Sequence, residues 1–250
     1  MIDLKKRIED VDELKRELDN HRPLSTNVLK QLKEYYRVGL TYSSNALEGN
    51  SLTETETKIV LEDGITIGGK SLRDHYEAIG HSEAYDLLYK LAKDKTITES
   101  DILGMHRLFY FRIDPENAGT YRKVKVIITG SDYIPPPPAE IKGLMKKLIS
   151  EMPRLRKKYH PVEYSAILHK KLAQIHPFVD GNGRTARLLM NLVLLQTGYV
   201  ITIIPPMLRN DYIAALEEAH KGDNQPLINF ISSMVYESLK DYLRLVRRLE

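Results

Sequence analysis

Cysteine is absent from the 250-residue chain. Disulfide bonds and thiolate metal sites are therefore excluded. Histidine does not replace cysteine in a zinc site, because pairs such as His75 and His81, or His169 and His176, lack the spacing of zinc ligands. The fold must depend on its hydrophobic core, and the chain is long enough to bury a substantial one.

Long apolar runs are absent too. The first six residues carry charges without an apolar signal region, and the apolar stretch 188–204 is interrupted by Asn191, Gln196, Thr197 and Gly198. A helix that spans a membrane needs about 20 predominantly apolar residues. The sequence therefore predicts a cytoplasmic protein with no membrane partner.

The chain has little excess charge of either sign. Its 37 Lys and Arg residues nearly balance 34 Asp and Glu residues, which leaves a net charge of +3. This excess is too small to indicate a nucleic-acid partner. The basic clusters 154–158 and 244–248 are more typical of solvated helix faces than of DNA contacts. No nucleic acid is expected, and no internal repeat is visible.

The spacing of apolar residues predicts an all-α fold. Apolar residues recur three and four positions apart over most of the chain, and Thr53 and Glu56 form the pattern of a capping box soon after Gly49. The predicted helices are 3–19, 25–48, 54–63, 71–93, 98–111, 139–159, 161–175, 184–197, 208–221 and 225–248.

One segment follows a different pattern. Val124, Val126 and Ile128 alternate with their neighbours, and the turn residues 129–132 follow them. This alternation predicts a small β-hairpin, and the conformationally rigid prolines 135–138 end it. The hairpin either has a function of its own or only covers the core.

The loop between the predicted helices 161–175 and 184–197 indicates chemistry on a phosphate. Residues 176–187 read His-Pro-Phe-Val-Asp-Gly-Asn-Gly-Arg-Thr-Ala-Arg. Glycines at 181 and 183 let backbone N–H groups converge on an anion at the positive end of the next helix. Asp180 offers magnesium a hard oxygen ligand. His176 can accept a hydroxyl proton near neutral pH.

Two arginines follow the glycines on one helix face, Arg184 and Arg187. The helix dipole disfavours positive charge in a first turn, so the two arginines suggest a role beyond helix stability. The alternative is a helix–loop–helix corner in which His176 and Asp180 are caps and the arginines are solvated. That alternative explains neither the second glycine nor the inner arginine.

At these residues the sequence resembles the Fic (filamentation-induced-by-cAMP) domain family. The family signature is His-Pro-Phe-x-Asp/Glu-Gly-Asn-Gly-Arg-x-x-Arg, and the chain matches it at every fixed position. The resemblance implies a Fic-type helical bundle with a small β-hairpin flap. It also implies transfer of a nucleoside monophosphate, most often AMP from ATP, to a Ser, Thr or Tyr hydroxyl of a protein.

The resemblance also implies roles for the residues of the loop. His176 would be the general base, and Asp180 would bind Mg²⁺. The remaining residues would bind the nucleotide: Gly181, Asn182 and Gly183 as an anion hole, Arg184 on the inner phosphates, Arg187 on the terminal phosphate, and Tyr212 beside the base or ribose. His220 stands where some members carry Asn.

The end of the predicted helix 25–48 resembles the family's inhibitory motif, Ser/Thr-x-x-x-Glu-Gly/Asn. Here the motif begins at Ser44 and places Glu48 before Gly49, and its position upstream of the loop resembles the N-terminal (class II) arrangement.

A carboxylate at a helix C-terminus, such as that of Glu48, favours a positively charged partner. In the family that partner is the second arginine, here Arg187. A bidentate pair between the two would compete with the outer oxygens of ATP. The alternative is an ordinary exposed Glu before a capping glycine.

Together these features predict an N-terminal helical region with the inhibitory helix at 1–95 and a Fic catalytic domain at 96–250. The expected function is autoinhibited AMP transfer from ATP, with Mg²⁺, to a target protein or to the chain itself. In the family the flap, here Val124, Val126 and Ile128, would bind the target as an added strand.

Three other functions remain open. The first is AMP removal in which Glu48 positions water. The second is the reversed nucleotide binding of the related Doc-type kinases, which lack an intact Gly-Asn-Gly-Arg cradle. The third is a non-catalytic ATP sensor. The sequence does not define the oligomeric state, so a homo-oligomer also remains open.

Overall fold

Helices form the framework of the protein, whose structure is a computed structural model that describes residues 4–250. The helices are α1 (Leu4–Asn20), α2 (Thr26–Ala46), α3 (Glu54–Glu62), α4 (Leu72–Leu91), α5 (Glu99–Tyr110), α6 (Pro138–Lys158), α7 (Pro161–Ile175), α8 (Asn182–Gln196), α9 (Arg209–Lys221) and α10 (Gln225–Leu249), with a 3-10 turn at Pro206–Leu208 before α9. These bounds lie within about two residues of the predicted ones, and the all-α prediction is confirmed.

Side-chain caps explain where helices near the site begin. Ser25 Oγ accepts a hydrogen bond from the N–H of Val28 at 3.3 Å and starts α2. The predicted capping box is present: Thr53 and Glu56 satisfy each other's backbone N–H groups at the start of α3. Between these helices Gly49 turns the chain with φ of 93°. The segment after α2 is therefore held in a defined turn.

Helices α7 and α8 occupy the centre of the fold. Leu168, Leu172, Leu188 and Leu192 are fully buried, and α8 is buried on nearly all sides. Helices α4, α5 and α10 pack around this pair. Helix α8 is therefore a core helix, although its first turns also bury Arg184 and Arg187. The loop 176–181, which joins α7 to α8, is therefore attached to the most deeply buried part of the protein.

One hydrophobic core joins the N-terminal and C-terminal helices. Helix α10 packs against α1, α2, α7 and α9, and buried residues of all these elements belong to the same cluster. The predicted division between 1–95 and 96–250 falls in the turn between α4 and α5 and stays a prediction. Within residues 4–250 no helix combines the length and apolarity needed to cross a bilayer.

The predicted hairpin does not form paired strands. Between residues 123 and 137 the structure has a turn, in which the N–H of Ser131 donates to the carbonyl of Ile128 at 3.2 Å, but no ladder. The returning arm runs into prolines 135–138, which lack the N–H donors of a strand. A two-stranded hairpin with no third strand is at best marginally stable. We call residues 123–134 the flap segment.

Arg122 holds the two arms of the flap segment instead of a ladder. Its buried guanidinium donates to the carbonyls of Val124 at 2.9 Å and Pro136 at 2.6 Å. The same side chain donates to the carbonyl of His176 at 2.8 Å, and its backbone N–H donates to Pro177. The flap segment and the loop that begins at His176 are therefore joined through one arginine.

Candidate active site

His176 ends α7 in the left-handed conformation, with φ of 49° and ψ of 57°. Within residues 4–250 it is the only residue other than glycine with a positive φ. Strained backbone of this kind is held only where the surrounding structure fixes it. Here Phe178 fixes the backbone after His176, because its side chain is fully buried and its ring stacks on that of His106 with a centroid distance of 3.7 Å.

The His176 imidazole is suited to accept a proton. Its Nδ1 lies 3.3 Å from the carbonyl of Ala173, so Nδ1 carries the hydrogen and Nε2 keeps its lone pair. Burial lowers the pKa of His176 to about 4, and the nearby Arg122 charge acts in the same direction. The imidazole is therefore neutral at pH 7, as a general base must be.

Two glycines give the loop its shape. Gly181 has φ of 76°, and a side chain there would place Cβ 2.6 Å from the Phe109 ring. A side chain on Gly183 would collide with the Glu48 carboxylate. Helix α8 starts at Asn182, and the first N–H groups of a helix have no acceptor within it. The backbone from 182 to 184 thus presents the free N–H groups of a helix N-terminus, an arrangement that favours an anion.

The Asn182 side chain closes the loop. Its Oδ1 accepts the N–H of Phe178 and its Nδ2 donates to the Phe178 carbonyl, both at 2.9 Å. These two bonds fix the side chain of Asn182 within the loop, and its backbone N–H is one of the free donors at the start of α8.

Arg187 is buried and pairs with the C-terminal end of α2 and the turn that follows it. Its Nη2 lies 2.7 Å from Glu48 Oε1. Nη2 also donates to the carbonyl of Ser44 at 2.8 Å, and Nε donates to Ser44 Oγ at 3.0 Å. The pair is monodentate, not bidentate as predicted, because Nε and a second hydrogen of Nη2 donate to Ser44 and Nη1 lies 3.4 Å from the Tyr212 hydroxyl. Burial opposes ionisation of Glu48, but the charges of Arg187 and Arg184 outweigh it and lower the pKa of the carboxyl.

Arg184 is enclosed by acidic and aromatic side chains. Its Nη1 lies 2.9 Å from Glu77 Oε1, and its guanidinium lies over the Phe109 ring at 4.2 Å. Its Nη2 lies 3.4 Å from Asp180 Oδ1. The sequence analysis missed Glu77 and its neighbour Arg73, because an acid four residues after an arginine on a helix looks like an ordinary surface pair.

Asp180 lies at the entrance to the glycine cradle. Its Oδ1 accepts the N–H of Gly181 at 2.6 Å, and its Oδ2 accepts Nη2 of Arg73 at 2.6 Å. No group of three or more acidic or histidine ligands occurs among residues 4–250. One exposed carboxylate beside a phosphate cradle suits Mg²⁺, which is commonly bound by one or two carboxylates, substrate phosphates and water. The donor set therefore fits this ion.

A cavity of about 180 Å³ lies beside His176, Gly183 and Arg187. Small-molecule sites usually measure about 300–1,000 Å³, so the cavity is constricted, and Glu48 lies in its wall. Among the predicted residues, its lining includes Glu48, Ile128, His176, Asn182, Gly183, Arg187 and Tyr212. The predicted residues outside its lining are Ser44, Val124, Val126, Asp180, Gly181 and Arg184.

The far side of the cavity comes from α9. Tyr212 is buried; its hydroxyl lies 2.8 Å from Nε2 of His169 and 3.4 Å from Nη1 of Arg187. Ser131 of the flap segment donates to Glu217 at 2.5 Å. The ring of His220 packs 4.4 Å from Tyr133. The tip of the flap segment is therefore attached to α9 across the cavity.

Arg209 is a further lining residue that the sequence analysis missed. Its Nε donates to the carbonyl of Leu47 at 2.9 Å and so binds the C-cap residue of α2. Its only sequence signal is a charge near the start of α9.

Comparison with known proteins agrees with this geometry. A profile of the Fic/DOC family matches residues 96–194. Protein adenylyltransferase Fic from Nematostella vectensis is 36% identical over 242 residues, which cover 94% of this chain and 55% of that protein. A protein of the same name from Drosophila mojavensis is 37% identical, with coverage of 95% and 47%. The chain spans about half the length of these curated relatives.

Solved structures share the fold. A segment of Fic-1 from C. elegans superposes with a TM-score of 0.88 at 31% identity, covering 99% of this chain and 74% of that one. A Fic domain containing signaling protein from Bacteroides thetaiotaomicron gives a TM-score of 0.87 at 28% identity, with coverage of 95% and 97%. Since the signature loop, the helical framework and the sequence likeness all agree, the chain belongs to the Fic/DOC family.

Proposed function

We propose that this protein is a protein adenylyltransferase, which moves AMP from ATP to a Ser, Thr or Tyr hydroxyl, and that Glu48 restrains it. One observation carries the proposal: a neutral imidazole, a glycine cradle and a buried arginine line one cavity. The relative from Nematostella vectensis bears the name of this activity, which supports the same reaction here.

The residues suggest the following reaction. Nε2 of His176 takes the proton of the target hydroxyl, whose oxygen attacks the α-phosphorus of ATP. The new P–O bond forms as the bond to the bridging oxygen breaks, and pyrophosphate leaves. The N–H groups of 182–184 hold the phosphate oxygens, because the N–H of Gly181 is bound to Asp180, and Arg187 holds the terminal phosphate. A magnesium ion bound to Asp180 would supply charge neutralisation.

Glu48 opposes this arrangement through charge and position. Its carboxylate fills the space that a side chain on Gly183 would need, and it also contacts Nη2 of Arg187. A triphosphate that reached Arg187 in the reactive pose would meet this negative charge. About a third of the Glu48 side chain is exposed, at 35%, so the carboxylate can move outward without crossing the core. We therefore propose that displacement of Glu48 opens the site.

Labelled ATP tests the proposed reaction. Wild type, Glu48→Gly and the control Glu34→Ala are incubated with ATP labelled at the α-phosphate or, separately, at the γ-phosphate. Glu34 lies on α2, which ends shortly before Glu48, and pairs with Arg37. We expect protein-bound α-label from Glu48→Gly, little from the other two proteins, and no γ-label.

Other outcomes would support the other functions. Bound γ-label would indicate phosphoryl transfer with reversed nucleotide. ATP binding without either label would indicate a sensor. Loss of AMP from the labelled protein after addition of wild type would indicate AMP removal, in which Glu48 positions water.

Target docking on the flap segment is a further part of the proposal. Val124 and Ile127 are exposed, at 57% and 91%, and the backbone of this segment makes no ladder within residues 4–250. An extended partner could pair with that backbone as an added strand. The docking roles of Val124, Val126 and Ile128 stay predictions, as does the cytoplasmic location.

The pH dependence of the transferase should reflect the buried base. Because burial lowers the pKa of His176 to about 4, we expect kcat/KM of Glu48→Gly to stay level from neutral pH to about pH 5 and to fall near pH 4. A fall of kcat/KM near pH 6.5, the ordinary pKa of imidazole, would contradict the prediction that the base is buried. Circular dichroism at each pH separates titration from unfolding.

A further inference from the structure

Four charged side chains form an alternating row beside the glycine cradle. Asp180 pairs with Arg73 at 2.6 Å, and Arg73 Nε lies 3.2 Å from Glu77 Oε1. Glu77 in turn pairs with Arg184 at 2.9 Å. Two members come from the loop and α8, and two from α4. The only carboxylate of the loop is therefore already paired with an arginine from a distant helix.

The donors around Asp180 differ in how readily they can leave. The Gly181 N–H is part of the backbone, and Arg184 is 2% exposed and bound to Glu77. Arg73 is 55% exposed and keeps Glu77 as a partner if it releases Asp180. Arg73 can therefore turn toward water at little cost, while the other two donors stay.

A divalent cation and Arg73 cannot both hold Asp180 Oδ2 at full strength. Mg²⁺ binds carboxylate oxygens at about 2.0–2.1 Å and carries twice the charge of a guanidinium. A guanidinium nitrogen 2.6 Å from the same oxygen would be strongly repelled. We infer that Arg73 is a positioning residue that competes with the metal ion for Asp180 and is displaced when metal and nucleotide bind. This inference rests on the proposed role of Asp180 as the metal ligand.

The inference predicts a change in metal binding that does not depend on turnover. The affinity for α,β-methylene-ATP, which cannot release AMP, is measured by calorimetry in Glu48→Gly protein, with EDTA and with Mg²⁺. The ratio of the two affinities is the coupling between metal and nucleotide. We expect Arg73→Gln to raise this ratio about two- to fivefold, the scale of one exposed ion pair, and to leave the affinity in EDTA unchanged.

Two further variants make the outcome decisive. The control variant Arg112→Gln removes another arginine of a salt bridge. Arg112 pairs with Glu83 at 2.7 Å, and neither residue contacts the loop. This change should leave both affinities and their ratio unchanged. Asp180→Asn should abolish the gain from Mg²⁺. If Asp180→Asn loses the gain but Arg73→Gln does not raise it, Arg73 does not compete, while the proposed metal ligand stands.

Two results would overturn the inference in other ways. If Asp180→Asn keeps the gain, Asp180 is not the metal ligand, and that part of the proposed function fails as well. If Arg73→Gln weakens binding in EDTA, Arg73 contacts the nucleotide and does not compete with the metal.

Discussion

Replacement of His176 by Ala in Glu48→Gly protein should lower AMP transfer about a hundred- to ten-thousand-fold, which is the usual cost of removing a general base. Nε2 of this residue is the only neutral imidazole nitrogen that the loop offers to the cavity. Binding of ATP should change little, because the phosphates are held by the glycine cradle and Arg187. Initial rates with α-labelled ATP and calorimetric ATP binding measure the two effects separately.

His176→Asn is the matched control for backbone strain. Asparagine adopts the left-handed conformation more readily than alanine, so it suits the φ of 49° at this position. It cannot act as the base. Both variants should therefore lose transfer to a similar extent. If His176→Asn kept most of the activity, the residue would serve the geometry of the loop and not the proton transfer.

The sequence predicted the helical framework well because its signals are local. Thr53 and Glu56 form the capping box they suggest, and the apolar spacing in 161–175 gives the bounds of α7. The hairpin was predicted from an equally local signal and was wrong in its pairing. Alternation indicates which side chains share one face of a strand. A strand also needs a partner strand to pair with, and the prolines 135–138 lack the N–H donors for such pairing.

The site was predictable only where its residues are contiguous or belong to a known motif. The loop 176–187 is read directly from the sequence. The contact of Glu48 with Arg187 joins residues far apart in the chain and was expected only from the family resemblance. Arg73, Glu77 and Arg209 carry no such signal. Their roles arise because α4 and α9 pack beside the loop, which the spacing of apolar residues does not specify.

The proposed inhibition by Glu48 depends on the hydrogen-bond partners of Arg187. This guanidinium is buried, at 3% exposure, and receives one carboxylate oxygen from Glu48 and two oxygens from Ser44. Removal of Glu48 leaves a buried positive charge with only neutral acceptors. A terminal phosphate could then satisfy it, so Glu48 and the phosphate are alternative partners for one nitrogen.

Glu48→Gly should therefore raise AMP transfer about ten- to a hundredfold when Arg187 is present, since one charge-assisted hydrogen bond contributes roughly 1.5–3 kcal/mol. In Arg187→Met protein, which keeps the apolar stem beside Tyr212, the same change should raise transfer little. Initial rates of the wild type, both single variants and the double variant form a double-mutant cycle.

Glu48→Ala is the control for backbone freedom. It should match Glu48→Gly, because loss of the carboxylate, and not the added freedom of glycine, opens the site. Thermal melting confirms that each variant is folded. Equal activation with and without Arg187 would show that the two residues act independently, and Glu48 would then be only an acidic residue at a helix end.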